Sequence, residues 1–157
     1  LIDHARAQLD NSGTLYGPVR LGAMIEIPAA ALTVPIFLKY FDFLSIGTND
    51  LTQYTLAIDR ADETVAHLYD PCHPAVLRLM ADVIAECNAQ GKGVSVCGEM
   101  AGDVGMTRLL LGLGLRSFSM HPSQILAVKQ QILRADTSKL KVWAQEVLQS
   151  EEPGALL

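Results

Sequence analysis

Apolar positions along this chain follow two alternating spacings. In "VRLGAMIEI" (residues 19–27) they form a nearly unbroken run, and shorter runs stand at "FDFLSI" (41–46), "VSVC" (94–97) and "SFSM" (117–120). Short apolar runs bounded by turn residues predict buried strands. Between them, apolar residues recur every three to four positions, which predicts helices over 1–9, 29–40, 74–90, 104–111, 123–134 and 138–149. The first is closed by "DNSG", and the second is expected to restart at Pro35. In the third, Ala75, Leu79, Val83 and Cys87 fall on one face, Pro74 suits the first turn and Gly91 the end. Thr137 is the expected N-cap of the last. The order is one helix, then strand and helix four times. Such alternation predicts an α/β fold with four parallel strands, each followed by a helical crossover.

In parallel α/β folds the functional groups gather where the strands end. Here the strand ends read "EIP", "GTND", "CGEMAGD" and "MHPS". Glu26 therefore belongs at the mouth of the sheet and not in its core. Asp50 follows the second strand as Glu26 follows the first. Two carboxylates at neighbouring strand ends can converge on one hard cation, and oxygen donors with open water positions suit Mg²⁺ or Mn²⁺ better than zinc. Spacing alone leaves another reading open, in which an arginine partners Glu26 and Asp50 caps a helix over "LTQYTLA". Gly47 and Asn49 have ordinary turn roles as well. Cys97 ends the third strand on the same face. Cations and backbone donors lower a thiol pKa at such a junction, whereas carboxylates nearby keep it protonated and fit to act as a general acid. The competing role is that of a small buried hydrophobe, which fits Cys87 on its helix face. Cys72, in "YDPCHPA", reads as a loop residue.

Composition narrows the classes. Half of the 157 residues are hydrophobic, enough for the core of one domain. Net charge is −5, pI is about 5.2, and no Lys/Arg cluster marks a nucleic-acid surface. Three cysteines without framework spacing, and no signal-peptide pattern, lead to an expected cytoplasmic location. The longest apolar stretch, 23–38, carries Glu26, Pro28 and Pro35 and is too short and broken to span a bilayer.

Five segments carry a family resemblance: "MIEIPAAAL", "FDFLSIGTNDLTQYTLAIDR", "LYDPCHPAVLRLM", "VSVCGEMAGD" and "LLLGLGLRSFSM". Together they resemble the phosphoenolpyruvate (PEP)-binding domain of PEP-utilising enzymes over residues 1–136. "QYTLAIDR" and "CGEMAGD" favour the phosphotransferase-system branch, the enzyme I family, over pyruvate phosphate dikinase and PEP synthase. The resemblance implies a TIM barrel with its site at the carboxyl ends of the strands. It implies that Glu26 and Asp50 hold Mg²⁺, that Asn49, Asp50 and Arg60 contact the substrate, and that Cys97 is the proton donor to the enolate carbon. It also implies a phosphoryl transfer from PEP to an enzyme histidine and on to a histidine phosphocarrier protein, with release of pyruvate, by a homodimer.

The chain departs from that family in strand number. A TIM barrel has eight strands, and four are predicted, which resemble strands five to eight. The first-half arginines and the phosphoryl-accepting histidine are missing, and none of His4, His67, His73 or His121 sits in that histidine's motif. His121 is expected in a capping or loop role. The chain is therefore expected to be a fragment, with its first helix already under way at Leu1, and inactive alone. Another PEP-utilising enzyme, or a non-catalytic half-barrel that assembles with a partner, are the alternative readings. Arg60 has its own alternative, a surface ion pair with Asp59 or Asp62. Both open sheet edges lead to an expected oligomer, most simply a dimer.

Overall fold

The computed structural model describes all 157 residues. Four strands form one sheet in the order β1 (Gly22–Ile25), β2 (Phe43–Gly47), β3 (Gly93–Cys97), β4 (Ser117–Phe118), with every neighbouring pair parallel. The helices are α1 (Ile2–Asn11), α2 (Pro28–Leu32), α3 (Val34–Phe37), α4 (Thr48–Leu56), α5 (Pro74–Ala89), α6 (Glu99–Gly102), α7 (Val104–Gly112), α8 (Ile125–Arg134) and α9 (Thr137–Gln149). The expected α/β class and its parallel crossovers are present.

Side chains alternate across the sheet, and the two faces differ. Ile25, Leu44, Ile46 and Val96 are wholly buried and Val94 nearly so. They join Val76, Leu77, Met80, Val83, Ile84 and Cys87 of α5, and Leu109 and Leu110 of α7, in one core of 25 residues. Burying each large aliphatic side chain there contributes roughly 1.5–3 kcal/mol. On the other face, register sets Met24 beside Ser45 and Ser45 beside Ser95. Met24 is 46% exposed and Phe43 37%, so no helix covers this side. Parallel sheets are normally covered on both faces.

Several expected boundaries are corrected. The strand expected at 19–27 spans only Gly22–Ile25, because β1 is an edge strand whose one neighbour begins at Phe43. Val19 and Ile27 are about half exposed. The helix expected at 29–40 is two short ones, broken at Thr33, whose hydroxyl donates to Ala29 O at 2.7 Å. Pro35 follows in the first turn after that break. A helix outside the six expected ranges, α4, follows β2 directly. On α5, Ala75 is exposed, and the core stripe is Val76, Leu77, Met80, Val83, Ile84 and Cys87. Asp136, not Thr137, caps α9: its carboxylate accepts from the Ser138 amide at 3.1 Å and the Ser138 hydroxyl at 2.6 Å. The fourth strand is two residues long, and Ser119 makes one last bond, to Val96 O at 2.8 Å.

Candidate functional site

Glu26 stands one residue past β1, on the uncovered face that Met24 shares. Its position explains a glycine. A Cβ at Gly47 would lie 3.0 Å from Glu26 Oε2, 3.1 Å from Glu26 Cβ and 3.2 Å from Met24 Sδ. Gly47 ends β2 and leads straight into α4, so the Glu26 carboxylate lies over the start of that helix. Asp50 is the third residue of α4, in the first turn. A carboxylate there is favoured by the exposed N–H groups and the helix dipole. Asp50 is no cap, since the N-cap position is Gly47. The molecule's three ion pairs involve neither Glu26 nor Asp50. Both carboxylates are half-buried. The structure thus shows neither the arginine partner nor the capping role that spacing left open.

The first turn of α4 is tied to the end of β3. The Thr48 hydroxyl donates to Cys97 O at 2.9 Å, and Asn49 Oδ1 accepts from the Glu99 amide at 3.1 Å. Both contacts need Gly98, whose φ is +99°. A Cβ there would meet Thr48 Oγ1 at 2.5 Å and Asn49 Oδ1 at 3.0 Å. The Tyr69 hydroxyl donates to Asn49 O at 3.3 Å, and burial holds its pKa above the usual phenol range.

Cys97 closes β3 on the uncovered face, half-buried. Its Sγ lies 3.4 Å from Ile46 O, 3.6 Å from Ser45 Oγ and 3.7 Å from Met24 Sδ. Arg60 lies beyond α4, its guanidinium 3.6 Å from the Glu99 carboxylate. It does not pair with Asp59 or Asp62, because those carboxylates serve their own loop. Asp59 accepts from the Ala61 amide, and Asp62 accepts from the Thr64 amide and hydroxyl, which hold its carboxyl below the usual range. A cavity of about 480 Å³ opens between Asn49, Cys97, Gly98, Glu99 and the loop carrying His121. Glu26, Asp50 and Arg60 are not part of its lining. A second cavity of about 460 Å³, at the other end of the strands, holds none of the candidate residues.

His121 has the capping role expected of it: its Nδ1 accepts from the Ser123 amide at 3.3 Å. Cys87 is wholly buried, and burial pushes its thiol up to about 11. Glu99 and Tyr69 are the site residues that sequence reasoning missed. Both stand inside the quoted segments "CGEMAGD" and "LYDPCHPAVLRLM", yet nothing in their spacing marks a contact with Asn49 or Arg60. No helix is long and apolar enough to cross a membrane.

This arrangement of open strand ends, unpartnered carboxylates and a thiol coincides with a family match. Residues 1–137 match the family of the PEP-utilising enzyme, PEP-binding domain. The chain belongs to that family. It is 62% identical over 154 residues to a phosphoenolpyruvate-protein phosphotransferase of Cupriavidus necator, which covers 98% of this chain and 26% of that protein. It is 45% identical to the protein of that name from Haemophilus influenzae and 46% to that from Staphylococcus carnosus, each covering 95% of this chain and 26% of the relative. This PEP-binding domain therefore spans about a quarter of the length of the curated relatives it matches.

Proposed function

We propose that this chain carries the PEP and pyruvate site of a phosphoenolpyruvate-protein phosphotransferase. The reading rests most on one observation: Glu26 and Asp50, half-buried at neighbouring strand ends, have no cation partner, and Gly47 leaves room for one of them over the first turn of α4. No group of three or more His, Cys, Asp and Glu side chains gathers anywhere in the chain. That donor set fits Mg²⁺ or Mn²⁺, which take one or two protein carboxylates and complete their shell with water and substrate phosphate. Such an ion, when bound, supplies positive charge against the phosphate and the enolate oxygen. The four parallel strands are read as strands five to eight of a (β/α)8 barrel, which agrees with their consecutive order and the bare inner face.

The chain's own residues then have definite work. Arg60 neutralises phosphate charge, and its loose contact with Glu99 is one a stronger anion displaces. Asn49 donates from its side-chain amide, while its Oδ1 stays engaged by the Glu99 N–H. As the P–O bond of PEP breaks, its electron pair leaves with the enolate and the phosphoryl group passes to a histidine. That histidine is assigned to another part of the parent, which hands the group to a histidine phosphocarrier protein. Cys97 gives its S–H proton to carbon three of the enolate. A C–H bond forms, the S–H electron pair stays on sulfur, and pyruvate results. The parent is read as a cytoplasmic homodimer.

Rapid quenching of the full-length parent with labelled PEP tests this. Cys97→Ala is expected to leave phosphohistidine formation within about threefold of normal and to slow pyruvate formation by at least about a hundredfold, the range of general acid catalysis. Equal loss of both steps, or of neither, contradicts it. The 157 residues alone are expected to release no pyruvate above their own Cys97→Ala control.

A further inference from the structure

The Cys97 thiol is not alone on the uncovered face. The sheet register sets Ser45 beside Ser95, one pleat below the Gly47 and Cys97 pair. The Ser95 hydroxyl donates to Ser45 Oγ at 3.0 Å, and the Ser45 hydroxyl donates to Cys97 Sγ at 3.6 Å. Both serines are half-buried, on the face they share with the apolar Met24 and Phe43 and, at its upper end, with Glu26 and Cys97. A hydroxyl has one proton to give. Because Ser95 fills a lone pair of Ser45, the Ser45 proton is free for the sulfur. Ile46 O, at 3.4 Å, and Met24 Sδ, at 3.7 Å, are the acceptors within reach of the thiol's own proton.

We propose that Ser45, supported by Ser95, is a positioning residue for Cys97: it holds the sulfur and stabilises the negative charge left there once the thiol has given up its proton. The inference rests on the proton-donor reading of Cys97. Chemically, the S–H bond breaks as the enolate C–H bond forms, the electron pair remains on sulfur, and the Ser45 O–H bond to that sulfur strengthens without breaking. Water returns the proton afterwards. A hydrogen bond to a charged group stabilises more than one to its neutral form, so Ser45 favours the transfer and not the resting state. Ser45 touches no reacting atom of the substrate and acts only through the sulfur. The charged or titratable side chains on the surrounding elements are Glu26 after β1, Asp50 on α4, Glu99 on α6 with its partner Arg60, and His121 after β4. None of them is hydrogen-bonded to the sulfur.

Two readouts test the proposal. The first needs no catalysis: the rate at which iodoacetamide alkylates Cys97 in this chain at neutral pH, followed peptide by peptide by mass spectrometry. Ser45→Ala is expected to slow it about tenfold, the size of one hydrogen bond to a charged group. Ser45→Thr, which keeps the hydroxyl, restores the rate, and Ser95→Ala slows it by less. The second is in the full-length parent, where Ser45→Ala lowers kcat for pyruvate release about tenfold and leaves KM for PEP unchanged. An alkylation rate unchanged in both Ser45→Ala and Ser95→Ala overturns the proposal, even where Cys97→Ala abolishes pyruvate formation. A raised KM with kcat intact overturns it too. Pyruvate formation retained in Cys97→Ala overturns the proton-donor reading instead, and with it the catalytic half of the proposal, whatever the alkylation rates show.

Discussion

Each of the three thiols has the surroundings its place in the fold dictates. Cys87 sits on the core stripe of α5 and is fully enclosed. Burial penalises its charged form, and its thiol is pushed up to about 11. The sign follows: a raised pKa means that the folded state favours the proton. The stability this confers is complete below the unfolded thiol pKa and is lost as pH rises toward about 11. Denaturant midpoints measured between pH 9 and 11 are expected to fall more steeply for the natural chain than for Cys87→Ala; parallel curves contradict this. Cys72 is half-buried, its Sγ 3.7 Å from Met106 Sδ, and its thiol is raised first by burial and then by Asp70 and Asp103. Residue roles of this kind were partly legible in the sequence. Cys87 was readable from helical spacing. The hydroxyl bonds to Cys97 were not, because Ser45 and Ser95 meet across a strand register that no local pattern encodes.

Elements were legible where a residue type forces the backbone. Pro74 and Gly91 bound α5 to within a residue or two. The long strand expected over 19–27 fails because pairing, not hydrophobicity, sets an edge strand's length. The last helix shows a cap misread by one position. Asp136 and Thr137 both suit an N-cap, and only the fold decides that the Asp136 carboxylate receives the Ser138 amide. Those bonds hold the Asp136 carboxyl below its usual range. A lowered pKa gives stability that is present above the unfolded carboxylate pKa and is lost as pH falls through the folded value. Asp136→Ala is expected to lower the thermal midpoint at pH 7, and the gap from the natural chain should narrow as pH falls through the folded carboxyl's lowered pKa. Asp136→Asn, which keeps an accepting oxygen, recovers part of it. A gap that does not change with pH contradicts a charged cap.

On the scale of the whole molecule, alternation of strand and helix predicted four parallel strands, and the hydrophobic share of the chain predicted a core without saying which residues line it. The contrast between faces was less legible. The uncovered face reads in sequence as Met24, Phe43, Ser45, Ser95 and Cys97, interleaved with core residues inside runs that look uniformly buried. Exposed apolar groups continue at both edges, with Leu32, Ile36 and Tyr40 beside β1 and Ile125 and Leu126 beyond β4. A bare parallel face and two open edges favour association. The isolated chain is expected to be a dimer or larger at micromolar concentration by light scattering. A cooperatively unfolding monomer contradicts this. The central claim is narrower: Glu26 and Asp50 act together on one divalent cation. Electron paramagnetic resonance of Mn²⁺ titrated into this chain tests it most directly. The account predicts one bound ion per chain, lost in both Glu26→Gln and Asp50→Asn while far-ultraviolet circular dichroism stays unchanged. Undiminished Mn²⁺ binding in either folded variant contradicts it.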